Sequence, residues 1–335
     1  MVHGLGMLHG AMFHLAAGLD ILNVEFNVDG AGLLEPKRGL ALFAGFQLPA
    51  QFHEHHVVAT RLEDDFAAGG NFKSAADLAH LHDVSIHFHF MDFNLAGKRG
   101  LVVATNVAWL DIAKPTGVFA SEMTVPYYAF LDAGMDVDLA SPAGGMIAVD
   151  PKSLRPVVRT PEDDRFMADD DFRDKVAHSL AIGDLDMTQY DVVFLAGGWG
   201  AAFDFGFSED LGAKITEANA AGKVIGAVCH GPLGLLNAKA VDGSPLVAGR
   251  RISAVTDKQV QELGIEATPH HPERELRGAG ALFESETRFR DPLANHWVVD
   301  GNLVTGQNQN AGPMVAREMM QILVDQDLHQ TVSTP

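Results

Sequence analysis

From Lys98 onward, short apolar runs rich in β-branched residues alternate with segments of helical period, and that alternation constrains the fold more than any other feature. Leu101–Ala104, Val137–Ala140, Asp191–Ala196 and Val224–Val228 read as buried strands, with further strands expected near Ile252–Val255, Trp297–Val299 and Leu303–Val304. Glu122–Ala133 has helical spacing and stops at Gly134. Ser208 caps a helix with Glu209 and Asp210 in its first turn, and Gly222 ends it. Pro232–Ala240 is expected to be helical, and an amphipathic helix over about Ala311–Val324 closes the domain. Such an order specifies an α/β sandwich with a mostly parallel central sheet covered on both faces. Ligands of such sheets sit beyond the carboxyl ends of the strands. Gly197-Gly198 and Cys229-His230 both end apolar strands, which places them near one crevice.

The formal net charge of -20 disfavours nucleic acid and anionic membrane as partners, since both need a basic face. A single cysteine excludes an intrachain disulfide framework, a CxxC redox pair and a thiolate zinc cluster, and it is compatible with a reducing compartment; a cytoplasmic protein is expected. No Lys or Arg precedes Lys37 and no run of about 18 uninterrupted apolar residues occurs, so neither a secretory signal nor a membrane span is expected.

The most informative stretch is Lys223–Leu233, where an apolar strand runs into Cys229-His230, then Gly231-Pro232, then a helix. Proline in a first helical turn has no amide hydrogen to leave unpaired, and Gly231 permits a tight backbone passage. A cysteine at a helix N-terminus is expected to favour thiolate over thiol. The arrangement is that of a nucleophile elbow built with sulfur. The competing reading makes Cys229 a small buried core residue and His230 a packing residue.

Four pieces, in order, resemble the ThiJ/PfpI superfamily, and within it the branch of glyoxalase III enzymes and related heat-shock chaperones. They are 117–122 with Pro126 and 133–145, then 190–200 with Asp204, then 227–232, then 300–308, together spanning about two-thirds of the chain. The resemblance implies a flavodoxin-like three-layer sandwich on a class I glutamine amidotransferase-like fold, usually a homodimer. It implies a small-molecule aldehyde substrate and conversion of 2-oxoaldehydes such as methylglyoxal to 2-hydroxy acids, a lactate dehydratase type of hydro-lyase, with no cofactor, glutathione or metal. It makes Cys229 the nucleophile, His230 a proton carrier and Glu122 the carboxyl that approaches the sulfur. Backbone amides near Gly198 and of His230 then form an oxyanion site, with Gly197, Trp199 and Gly231 in the pocket. Many relatives carry histidine where this chain has Trp199, which alters the pocket wall. The acid that orients the histidine in this branch is expected near Ala254–Glu262. Asp257 is the candidate, although Thr256-Asp257-Lys258-Gln259 reads equally well as a helix cap.

Other functions share this chemistry. A stress chaperone, deglycase or redox sensor would reuse the same sulfur. A class I amidotransferase-like amidase or peptidase would use His271-Pro272-Glu273, read here as coincidental letters in a charged loop. The catalytic domain is expected over 98–325, with a tail at 326–335. Asp150–Asp174, rich in charge and proline, is read as an insertion or lid. Residues 1–97 hold ten of the sixteen histidines and are read as an extension of unknown role. His53 with His55, and His87 with His89, would share strand faces, Ile86–Phe90 alternating like a strand. They are the residues that could supply imidazole to a metal, but none has the His-Glu-x-x-His spacing of a catalytic zinc helix, and no metal is expected.

Overall fold

The computed structural model describes residues 7–8, 11–14, 23–24, 93–110, 113–264 and 268–332. The chain divides into two compact units, Met1–Asp92 and Phe93–Pro335. In the first, the short strands Met7–Leu8, Ala11–His14 and Asn23–Val24 pair antiparallel in that order. His53, His55, His87, His89 and the expected strand Ile86–Phe90 lie outside the described residues.

Among the described residues, the second unit is built on the strands β1 (Arg99–Val103), β2 (Asp136–Ser141), β3 (Leu180–Ala181), β4 (Val192–Leu195), β5 (Val224–Val228), β6 (Arg251–Ile252), β7 (Leu282–Phe283), β8 (Trp297–Asp300) and β9 (Leu303–Gly306). Seven of them form one sheet in the order β8-β9-β5-β4-β1-β2-β3. All its pairings are parallel except the edge hairpin of β8 on β9. β6 and β7 pair separately, also in parallel. The helices are α1 (Ala120–Asp132), α2 (Pro161–Ala168), α3 (Asp170–Ala177), α4 (Ala201–Asp204), α5 (Glu209–Ala220), α6 (Asp257–Glu262), α7 (Pro272–Gly278) and α8 (Gly312–Val332).

The period-two geometry of strands divides the core in two. Val102, Val192, Phe194, Val224, Val228 and Val304 point to the face covered by α1 and α8. Leu101, Val103, Val193, Leu195, Ile225, Ala227 and Leu303 point to the other, under α5. Both faces are apolar, so the central strands read in sequence as continuous hydrophobic runs. Close contact between α8 and β5 depends on Gly226, where an added Cβ would fall 2.1 Å from Met319 Sδ.

Two expectations are corrected. Asp150–Asp174 is no lid: it contains α2 and the first half of α3, whose Phe166, Phe172 and Val176 are buried against α1. Thr160 and Asp163 form a reciprocal capping box at α2, and Thr124 of α1 donates to Asp163 at 2.6 Å. After Cys229 the chain makes only a 3-10 helix, Gly231–Leu235, in place of the expected helix to Ala240. Gly231 and Gly234 are weak helix formers, and an added Cβ at Gly231 would fall 2.1 Å from the Leu195 carbonyl oxygen. The last helix runs beyond Val324 to Val332, through most of the expected tail. No helix among the described residues is long and apolar enough to cross a membrane.

Candidate active site

Cys229 sits at the carboxyl end of β5 with φ of +59°, a left-handed conformation that non-glycine residues rarely adopt. The turn is held from both sides. The Cys229 amide donates to the Gly306 carbonyl at 3.0 Å, and the Val255 amide donates to the Cys229 carbonyl at 3.1 Å. The strained residue therefore aims its side chain away from the strand while its backbone stays in the sheet. Cys229 is 8 % exposed, so the residue is buried rather than on the surface.

Glu122 enters from the first turn of α1 and is buried, 1 % exposed. Its carboxyl faces the Cys229 sulfur and the amides of Gly197 and Gly198, although neither oxygen makes a hydrogen bond of good geometry. Burial pushes the carboxyl up to about 8, so it is protonated at neutral pH. An added Cβ at Gly197 would lie 2.5 Å from Glu122 Oε2 and 2.7 Å from the His230 nitrogen. Gly198 has φ of +95°, and a Cβ there would lie 2.4 Å from both the Gly117 oxygen and the Phe119 nitrogen. Only glycines let this loop reach the first turn of α1. The same loop aims the Gly198 amide, together with that of His230, at the Cys229 sulfur.

Burial, then the neighbouring Glu122 charge, push the Cys229 thiol up, while the two amides act in the opposite sense. Burial thus acts against the expected effect of a helix dipole on the thiolate. The sulfur is desolvated, and the chain continues into a five-residue 3-10 turn with little dipole. Protonation of Glu122 removes the like-charge repulsion and supplies a donor, so the two acids are arranged to hold one negative charge between them.

His230 is 1 % exposed, with Nδ1 3.4 Å from the Cys229 sulfur. Burial first, and then the charge of His271, bring its pKa down to about 3. The Trp199 ring stands 4.6 Å from the His230 ring at 54° and walls that side of the site. Asp257 stands by His271, its Oδ1 3.7 Å from His271 Nδ1, while its amide donates to Glu273 Oε2 at 2.9 Å. Thr256 caps α6 by accepting from the Gln259 amide at 3.0 Å, as the capping reading expected. His271-Pro272-Glu273 begins α7 and is not a loop. Sequence offers His271 only as the histidine of an amidase; a further signal at this position is the adjacent pair His270-His271 ahead of a helix-starting proline.

Among the described residues no group of three or more potential ligands could hold a metal ion. The DJ-1/PfpI family pattern matches residues 112–322. The chain belongs to the DJ-1/PfpI family. Among its relatives, the glutathione-independent glyoxalase hsp3102 of Schizosaccharomyces pombe is 28% identical, over 68% of this chain and 98% of that protein. The glutathione-independent glyoxalase HSP31 of Saccharomyces cerevisiae is 30% identical, over 64% of this chain and 93% of that protein. The crystal structure of glyoxalase III from Candida albicans superposes with a TM-score of 0.61 at 27% identity, covering 67% of this chain and 97% of that one. This family member therefore carries a parallel α/β sandwich with a cysteine elbow, and the first unit, Met1–Asp92, falls before the matched residues.

Proposed function

We propose that this protein is a glutathione-independent glyoxalase that converts 2-oxoaldehydes of the methylglyoxal type to 2-hydroxy acids, with Cys229 as nucleophile. The observation that carries the reading is the buried Glu122 carboxyl facing the Cys229 sulfur, with the amides of Gly198 and His230 beside the same atom. The names of the relatives agree with it.

In this mechanism the sulfur adds to the aldehyde carbon. A C–S bond forms, and the carbonyl π electrons move to oxygen, where the amides of Gly198 and His230 stabilise the charge. The hydrogen on the former aldehyde carbon leaves as a proton, and a proton is delivered to the adjacent carbon through His230 or Glu122. The product is a thioester of a 2-hydroxy acid. Water cleaves it and restores the thiol, so the net reaction adds one water and exchanges no electrons with an outside acceptor. In reverse this is the dehydration of a 2-hydroxy acid, which places the activity with the hydro-lyases. The proposed assembly is a homodimer, readable by sedimentation.

Geometry weighs against two alternatives. A redox sensor works through an exposed cysteine, whereas Cys229 is buried, 8 % exposed. For an amidase that uses His271 and Glu273, the Glu273 carboxyl is already engaged by the Asp257 amide and by Arg277 at 2.9 Å. The test is steady-state conversion of methylglyoxal to lactate without glutathione. Wild type should turn over, and Cys229→Ala should reduce kcat to background; unchanged turnover in Cys229→Ala rejects the proposal.

A further inference from the structure

His230 has two ring nitrogens, and the chemistry above uses one. Nδ1 faces the sulfur, while Nε2 is buried and has no hydrogen-bond partner. A neutral imidazole carries one proton, so Nε2 is either a buried donor without an acceptor or a buried acceptor without a donor. Native structures seldom leave such a group without a purpose. A second histidine lies within electrostatic reach of the same ring, namely His271. His271 lines an open pocket of about 280 Å³ together with Asp257, Gln261 and Arg274. Its Nδ1 stands 3.7 Å from Asp257 Oδ1, itself a buried oxygen without a hydrogen bond.

The protonation states make the second nitrogen matter. His230 is held neutral by burial, so it cannot accept the Cys229 proton at Nδ1 and keep another at Nε2. As one proton arrives the other must leave.

We propose that His271 is a positioning residue for His230: held by Asp257, it exchanges a proton with Nε2 of His230 and so allows the Cys229 thiol to ionise. This rests on the cysteine chemistry proposed above. The Sγ–H bond breaks as an N–H bond forms at Nδ1 of His230. The Nε2–H bond of His230 breaks as an N–H bond forms on His271, and the Asp257 carboxylate faces the resulting imidazolium. One proton moves from sulfur to His271, no electron is transferred, and the proton returns when the thiol is restored. The charged and titratable groups around this route are Glu122 and Cys229 beside His230, Asp257 and Arg274 beside His271, the Glu273–Arg277 pair on the Asp257 amide, and the adjoining His270–Glu275 pair at 3.6 Å.

Cys229 is the only cysteine, so the rate of its alkylation by iodoacetamide reads thiolate formation in the full chain without any aldehyde. Wild type, His271→Ala, His271→Gln and Asp257→Asn are compared across pH, with His270→Ala as a neighbouring control. His271→Ala and His271→Gln should alkylate about tenfold more slowly at neutral pH, with the profile displaced to higher pH. Asp257→Asn should show part of that loss and His270→Ala none. Added imidazole, small enough for the pocket, should restore His271→Ala, which loss of a merely structural contact would not permit. Profiles of both His271 variants that superimpose on wild type, or an absence of imidazole rescue, overturn the proposal. A displaced profile in a protein that leaves methylglyoxal untouched would reject the glyoxalase reading and keep the relay. Turnover with undisplaced profiles would do the reverse.

Discussion

Glu122→Gln should stabilise the fold at neutral pH while abolishing turnover. The Glu122 carboxyl shifts from 4.5 to about 8 in the folded chain, with burial as the largest cause. An acid whose folded pKa is raised binds its proton more tightly in the native state. Its stabilising contribution is therefore complete below pH 4.5 and is lost as pH rises towards about 8. At about pH 7 the unfolded carboxyl is ionised and the folded one is not. The gap of about two and a half pH units corresponds to about 3 kcal/mol by which folding is disfavoured. Glutamine has nearly the same shape and never ionises, so the substitution removes that term. Its amide oxygen can face the Gly197 and Gly198 amides and its NH2 the sulfur. Guanidinium unfolding of wild type and Glu122→Gln at a series of pH values should give curves that coincide near pH 4 and diverge as pH rises, reaching about 3 kcal/mol in favour of the variant at neutral pH. A constant difference across that range, or a variant that is less stable at neutral pH, would refute the claim that Glu122 is folded in its protonated form.

The same group sets an alkaline limit on activity. With Glu122 required in its protonated form, kcat/KM should fall above about pH 8, the value to which burial brings that carboxyl. Gly197→Ala places a Cβ 2.5 Å from Glu122 Oε2 and 2.7 Å from both the His230 nitrogen and the Val228 oxygen. It should lower stability by about 1–3 kcal/mol and abolish turnover. Gly278→Ala, where nothing lies within 4 Å, should leave kcat and KM at wild-type values. Phe172→Ala removes a fully buried ring stacked 3.7 Å from Tyr127 and should cost about 3–5 kcal/mol in denaturant unfolding, as a core position would. A loss below about 0.5 kcal/mol would mean that α3 is detachable after all.

The legible parts of this protein are those whose local signal and tertiary role coincide. β5 is readable to the residue because both of its faces are covered, which turns Val224–Val228 into an unbroken apolar run. The elbow is readable because Cys229, Gly231 and Pro232 each have few local uses. α2 and α3 escape a reading of the sequence because their outer faces are so charged that Phe166, Phe172 and Val176 do not stand out as a stripe. The helix expected after Pro232 fails because apolar spacing says nothing of how closely the Leu195 carbonyl approaches Gly231. Asp257 lies beside His271 rather than directly on His230, a choice made by the packing of α6 against α7 that no spacing encodes. The tilted contact of Trp199 with His230 is likewise a tertiary fact.

The partner that closes the elbow arrives late in the chain. The Cys229 amide is held by Gly306, the last residue of β9, which pairs alongside β5. During synthesis the cysteine therefore leaves the ribosome well before the strand that fixes its backbone. A nascent chain carries an ordinary thiol, and the buried arrangement of Cys229 against Glu122 forms only when β9 joins the sheet. Fragments that stop short of Leu303 should consequently lack turnover even where they have collapsed.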